Sequence, residues 1–261
     1  MLTQFFGHYS EISYKDVLTP FSSEYNLMLL FSFLLAVVIF VIGSINNPKQ
    51  NEKTLKIIIF IIVVLEVSRQ IWAFSMGNYL WSEMLPLHLC GIQIFLMPLM
   101  LKTRSPLLKN FVYLTAFPGA LAALLFNETV FYKYPVFHFQ SIQTFVIHTL
   151  IMIVPIFMMV FEEFRPKLNY ILPSTALLAL IAVFNGVVNI ITGGNYLFIA
   201  TAPADTPIAW IADVTGWPGY IPVMIVLVII IWLIMVLPFI ILEKHNAPLR
   251  TSPYRFRKQR R

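Results

Sequence analysis

The chain has 261 residues, of which 59% are hydrophobic and only 11% are charged, and its mean hydropathy is +0.79. A soluble globular domain carries about 25% charged residues, so this composition excludes that class and predicts a membrane-embedded protein. The formal net charge of +6 comes from short loops and a C-terminal tail, without a basic stripe interleaved with stacking aromatic residues, which excludes nucleic acid as a partner and favours anionic lipid.

Apolar segments of membrane-spanning length follow one another along most of the chain. A helix needs about 20 mostly apolar residues to cross a bilayer. We predict an all-α polytopic bundle of about seven transmembrane helices over 23–243, after an interfacial lead-in over 1–22 and before a basic cytoplasmic tail over 244–261. The predicted spans are approximately residues 24–44, 56–76, 83–102, 107–126, 136–160, 169–192 and 219–242.

The placement of positive charge predicts the orientation of the bundle. Fifteen of the 18 lysines and arginines fall on one side, in the first, third and fifth loops and in the tail. Because cytoplasmic loops carry the excess of Lys and Arg, we expect a cytoplasmic C-terminus and an N-terminus outside.

The longest outer loop, 193–219, has an unusual composition. It contains no basic residue and several large apolar side chains, which water-exposed loops rarely carry. Irregular backbone at membrane depth must line protein or a cavity. We therefore predict that this loop folds back as a lid or a re-entrant segment.

Polar side chains lie at similar depth in four of the predicted spans. In the predicted orientation they fall in the outer half of the membrane, and this predicts one polar pocket that opens outward. Ionisable groups inside a membrane are expensive and mark functional sites by default. The candidate substrate-binding residues are Glu66, Arg69, His88, Gln93, His138, Gln140, Thr144 and Asn189.

Helical spacing leaves two interpretations for most of these residues. Glu66 and Arg69 are an i, i+3 pair that either neutralises itself or binds a lipid headgroup, since Arg suits phosphate geometrically. Gln140, Thr144 and His148 follow one another at four-residue intervals and form one stripe. Buried amides more often join helices than bind ligands.

Cys90 is the only cysteine, which excludes an intramolecular disulfide and a CxxC redox pair. As a nucleophile it needs a base, which His148 or His138 could supply, whereas the alternative is a buried thiol that packs as a small hydrophobe. On a continuous helix, His88 and Cys90 are about 200° apart and point in different directions. This separation and the absence of a ligand-spacing motif argue against a metal site, and we predict no cofactor.

Three stretches carry a resemblance to a known family: LPLHLCGIQIF at 85–95, FHFQSIQTFVIHTLIMIVP at 137–155, and NYLFI…D…GWPGYI within 195–221. In these stretches the chain resembles the YwaF-type bacterial integral membrane proteins. Those proteins are similar to the eukaryotic transmembrane protein 164 acyltransferases. The resemblance implies an active centre for acyl transfer between phospholipids, with Cys90 and His148 as the catalytic residues.

The leading hypothesis is therefore a lipid acyltransferase in the plasma membrane, bacterial by the resemblance. It would move an acyl chain from a phospholipid donor to a lysophospholipid acceptor through a thioester on Cys90. Gln93 or Gln140 could donate a hydrogen bond to the oxyanion. Two alternatives stay open: a non-enzymatic protein that binds or transports an amphiphile or small polar solute, and a membrane lipid hydrolase.

Overall fold

The computed structural model describes residues 5–8, 10, 12, 17–77, 79–127, 129–203 and 206–246. Most of the predicted lead-in up to residue 16, and the tail from 247 onward, lie outside the described residues. The helices are α1 (Ser23–Ile45), α2 (Pro48–Ser75), α3 (Gln93–Thr103), α4 (Pro106–Leu125), α5 (Phe139–Phe161), α6 (Ile171–Thr192), α7 (Pro207–Thr215) and α8 (Tyr220–Asn246). No strand occurs among the described residues, and the predicted all-α fold class is confirmed.

Six helices in the described ranges are long and apolar enough to cross a membrane, namely α1, α2, α4, α5, α6 and α8. These six correspond to six of the seven predicted spans. The chain is thus a multi-pass membrane protein.

The predicted span 83–102 is a continuous helix only in its second half. α3 begins at Gln93 and has 11 residues, about 16 Å, roughly half the thickness of a bilayer core. Residues 79–92 form turns instead. Pro86 and Gly91 explain the break: a Cβ on Gly91 would lie 2.7 Å from the carbonyl carbon of Pro86, so this tight turn accepts only glycine at that position.

The segment that contains α3 still runs from one end of the bundle to the other. α2 starts at Pro48, and Arg104, just after α3, lies 3.6 Å from Glu52 in the first turns of α2. The chain therefore leaves the far end of α2 and returns beside its beginning. We call the end near Glu52 and Arg104 the charged end, and the opposite end, near Trp72, the aromatic end.

Side-chain caps fix where several helices begin. The Ser22 and Ser105 side chains accept hydrogen bonds from the backbone at the starts of α1 and α4. At α2, Asn47 and Gln50 form a reciprocal capping box, with Pro48 as the first helical residue. These caps satisfy backbone N–H groups that a helix start leaves without partners.

α5 is the central helix of the bundle and packs against α1, α2 and α4. Its side chains fill the core, and Phe145 and Phe157 are fully buried. α6 and α8 lie at the periphery with most of their surface exposed, as expected for helices that face lipid. The Tyr113 hydroxyl in α4 donates to the Met235 carbonyl at 2.9 Å and attaches α8 to the core.

The N-terminal residues that the structure describes pack against the aromatic end. Trp72 Nε1 donates to the Phe6 carbonyl at 2.7 Å, and Leu18 exchanges backbone hydrogen bonds with the 132–134 turn. A second hydrophobic cluster, which includes Leu18, Trp72 and Phe145, fills this end. The described part of the lead-in is therefore attached to the helices.

Candidate functional site

A buried ion pair in α2 is the centre of a polar cluster. Arg69 donates to both carboxylate oxygens of Glu66, from Nε to Oε2 at 2.9 Å and from Nη2 to Oε1 at 2.6 Å. Their side chains are only 13% and 6% exposed. The ion pair that the sequence predicted as one interpretation is formed. Among the described residues, Arg69 Nη1 contacts only the sulfur of Met84, at 3.8 Å, and sulfur is a weak acceptor.

The same cluster holds the irregular segment 79–92 in place. The Met84 carbonyl accepts from Arg69 Nη2 and from Gln70 Nε2, both at 2.8 Å. Tyr79 closes the network, because its hydroxyl donates to Gln70 Oε1 at 2.7 Å. Arg69 and Gln70 thus supply hydrogen bonds to the Met84 carbonyl, which has no partner within a helix.

Tyr196, from the loop after α6, holds the other side of this segment. Its hydroxyl donates to the Trp81 carbonyl at 2.7 Å and accepts from the Leu85 backbone N–H at 3.1 Å. The Asn189 side chain in turn holds the Tyr196 backbone: Oδ1 accepts from the Tyr196 N–H at 2.7 Å, and Nδ2 donates to the Tyr196 carbonyl at 3.0 Å. Asn189, a predicted substrate-binding residue, therefore positions a loop in this structure.

His88, in the irregular segment, lies against that loop. Its ring centroid is 5.3 Å from that of Tyr196 and 5.0 Å from that of Phe198. Leu197 and Phe198 both have left-handed backbone angles, with φ of 58° and 54°. Such angles are costly for residues other than glycine and are concentrated at functional sites.

Cys90 lies where the irregular segment packs on α4. Its Sγ would be 3.5 Å from a Cβ at Gly119, so the absence of a side chain there makes room for the thiol. The expectation that His88 and Cys90 point apart assumed a continuous helix, and residues 79–92 are not helical. That geometric argument therefore does not hold. In the described part of the chain no hydrogen bond joins Cys90 to His148.

His148 has one nitrogen engaged and one without a protein partner. Its Nδ1 lies 2.7 Å from the Thr144 carbonyl oxygen, and since a carbonyl only accepts, Nδ1 carries the proton. In the neutral ring the lone pair is therefore on Nε2. Among the described residues nothing bonds Nε2. This is the tautomer that a general base requires.

Gln93 and Gln140 differ in the hydrogen-bond donors that they leave free. Gln93 donates from Nε2 to the Leu89 carbonyl at 3.2 Å and to Thr115 Oγ1 at 3.0 Å, which uses both of its N–H groups. Gln140 donates to Thr144 Oγ1 at 3.3 Å and keeps one N–H. The buried Oε1 atoms of both glutamines have no partner in the described structure. Of the two expected oxyanion donors, only Gln140 has a hydrogen left to donate.

His138 has both nitrogens occupied. It is the N-cap of α5, where Nδ1 accepts from the Gln140 backbone N–H at 3.0 Å. Nε2 lies 2.9 Å from the Gly7 carbonyl, and the ring stacks on Tyr134 with centroids 4.3 Å apart. Of the two histidines considered as the base, His148 is therefore the one with a ring nitrogen that the described hydrogen bonds leave free.

Tyr79 and Tyr196 are site residues that the sequence did not single out. Their roles depend on contacts with residues 9 and 115 positions away in the chain, which no local pattern reveals. The NYLFI stretch that contains Tyr196 was the one available signal. Within the described ranges, no group of three His, Cys, Asp or Glu side chains comes together as metal ligands.

Comparison with known protein families finds a match over most of the chain. The model described as the TMEM164 family matches residues 20–236, which is most of the chain and includes every residue of the site. Comparisons with curated proteins and with solved structures found no significant match.

Proposed function

The chain belongs to the TMEM164 family, and we propose that it is a cysteine-dependent acyltransferase of membrane lipids. Cys90 is the nucleophile and His148 the base in this proposal. The observation that carries it is the state of His148, whose Nδ1 is committed to the Thr144 carbonyl while Nε2 keeps its lone pair. A histidine that only joined helices would be expected to use both nitrogens, as His138 does.

The proposed reaction has two steps, the acylation of Cys90 and the transfer of the acyl chain to the acceptor. His148 Nε2 takes the thiol proton, and the thiolate attacks the donor ester carbonyl, so that a C–S bond forms and the ester C–O bond breaks. The imidazolium returns the proton to the departing lysophospholipid oxygen. The hydroxyl of an acceptor lysophospholipid then gives its proton to His148 and attacks the thioester carbonyl, so that a C–O bond forms and the C–S bond breaks. The imidazolium returns the proton to the departing thiolate, which restores the thiol and yields a phospholipid.

Lipid binding has to bring Cys90 and His148 together in this mechanism. Catalytic hydrogen bonds often form only in the substrate complex, so the lack of a hydrogen bond between these two residues in the described structure is no obstacle. Cys90 adjoins irregular backbone, which can move without unwinding a helix. The Nη1 group of Arg69 faces the phosphate of the headgroup in the proposal, and the remaining N–H of Gln140 faces the oxyanion.

Intact-mass analysis of the purified protein after incubation with a phospholipid tests the mechanism. We expect an acyl-sized mass gain that hydroxylamine removes, that Cys90→Ala abolishes and that His148→Ala abolishes or strongly slows. Tyr132→Phe, an exposed change at the aromatic end, is the matched control and keeps the adduct. If folded wild-type protein gains no mass with any lipid, the proposal is wrong. Release of free fatty acid without a transfer product would instead identify a hydrolase.

The buried amide oxygens support a second candidate, a non-enzymatic binding or transport protein. Three buried acceptors have no partner among the described residues, and a ligand with hydroxyl or ammonium groups would satisfy them: Gln93 Oε1, Gln140 Oε1 and Asn185 Oδ1. Thermal stabilisation by an amphiphile that persists in Cys90→Ala and is lost in Arg69→Gln would favour this function.

A further inference from the structure

A cavity at the charged end lies outside the site described above. It has a volume of about 280 Å³ and lies between the start of α2, the end of α3, the start of α4 and the end of α5. α3, about 16 Å long, separates it from Cys90. Small-molecule sites measure about 300–1,000 Å³, so this cavity suits a headgroup and the first carbons attached to it rather than a whole lipid.

Positive charge exceeds negative charge around the cavity. Lys56, Arg104 and Lys109 line it, against Glu52 and Glu162. A single oxygen, Glu52 Oε1, serves two of the cations, with Lys56 at 2.7 Å and Arg104 at 3.6 Å. Burial raises the pKa of Glu162, which disfavours its negative charge.

Lys109 is the cation without an ion pair in the described structure. It is half-buried on α4, and the nearest compensation is the electrostatic influence of Glu162. Arg104 is bound only loosely, because its side chain is 80% exposed and its contact with Glu52 is long. Both side chains can therefore turn toward an anion without first breaking a tight salt bridge.

The floor of the cavity is apolar. Met100 and Met158 are almost completely buried beneath the charged rim, and Phe161 forms part of the wall. A charged rim above an apolar floor matches the chemistry of an amphiphile, with a phosphate at the rim and carbon chain below. A site for a soluble ion alone would not need the apolar floor.

We propose that this cavity binds the phosphate group of an anionic phospholipid. Lys109, Arg104 and Lys56 bind the phosphate oxygens, and the glycerol carbons lie against Met100 and Phe161. The flat guanidinium of Arg104 suits two oxygens at once, while the lysines act as point charges. The site does not depend on the acyl-transfer chemistry.

Native mass spectrometry of the full chain in detergent tests the proposal with phosphatidylglycerol as the probe. We expect Lys109→Gln to weaken its binding about fivefold, the effect of one basic residue near an anionic lipid. Lys109→Arg keeps the charge and should bind as the wild type does. Lys53→Gln is the matched control. Lys53 is exposed and lies between Glu52 and Lys56 on α2, but it does not line the cavity.

Two results would overturn the proposal. Equal effects of Lys109→Gln and Lys53→Gln would show that the lipid responds to overall charge and not to the cavity. Displacement of phosphatidylglycerol by a modest excess of inorganic phosphate would reassign the cavity to a free anion. A preference for phosphatidylglycerol over phosphatidylcholine that Lys109→Gln removes, and that inorganic phosphate does not compete away, supports the lipid.

Discussion

The Glu66–Arg69 pair combines a structural contact with an electrostatic interaction with the proposed base, His148. Both side chains are almost buried, and together with Gln70 they satisfy the Met84 carbonyl. Removing one member of a buried pair is costly because the other charge is left without compensation.

We predict that Glu66→Gln lowers the free energy of unfolding by about 3 kcal/mol, because Arg69 keeps its charge in a buried environment. Unfolding of the purified protein by a denaturing detergent, followed by circular dichroism, measures this change. Glu52→Gln is the matched control, since its partner Lys56 is 56% exposed and exposed ion pairs contribute little to stability. Equal effects of the two changes would contradict the prediction.

At the scale of elements, the irregular segment 79–92 determines where Cys90 lies. Tyr196 holds it through the Trp81 carbonyl and the Leu85 N–H. The lone cysteine makes this contact measurable, because a thiol reagent reports on one residue.

Tyr196→Phe should increase the rate of maleimide alkylation at Cys90 several-fold. The change removes both hydrogen bonds of the hydroxyl and leaves the Leu85 N–H without a partner, which costs about 1–3 kcal/mol. The segment therefore opens more often. Tyr132→Phe removes a hydroxyl from an exposed side chain and should leave the rate unchanged. An unaltered rate in Tyr196→Phe would show that the α2 contacts alone hold the segment.

Gly91, the one glycine of the segment 79–92, is predicted not to tolerate a side chain. A Cβ there would meet the backbone of Pro86 at 2.7 Å, and backbone cannot move aside as a flexible side chain does. We expect Gly91→Ala to destabilise the protein by about 1–3 kcal/mol. In Gly186→Ala the nearest atom is 3.8 Å away, so thermal unfolding of that control should match or exceed the wild type.

The sequence predicted the bundle well and the site only in part, for reasons that particular residues show. Apolar length identifies a span wherever the backbone can stay helical, and this holds for six segments. At 83–102 the predicted continuous helix is wrong in its first half, because apolar composition does not reveal the tight turn between Pro86 and Gly91. Helical spacing indicated His148, but its tautomer depends on a hydrogen bond to the Thr144 carbonyl. The role of Tyr196 depends on a contact with Trp81, which is distant in the sequence.

At the scale of the whole molecule, the predicted orientation remains to be tested. Cytoplasmic placement of the charged end follows from the distribution of lysine and arginine. In a Cys90→Ala background, a membrane-impermeant maleimide should label Lys133→Cys in intact cells and Lys53→Cys only after permeabilisation. The opposite pattern would place the proposed acyl-transfer site at the cytoplasmic leaflet.

The attachment of Phe6 and Gly7 to the aromatic end has a consequence for the order of assembly. Their carbonyls accept hydrogen bonds from Trp72 and His138, which lie 66 and 131 residues further along the chain. During synthesis the two carbonyls are therefore solvated by water or headgroups, and they can form these hydrogen bonds only after α2 and then α5 have been inserted. Phe6 and Gly7 are thus made before α2 and α5 but reach their final place after them, against helices that are already assembled.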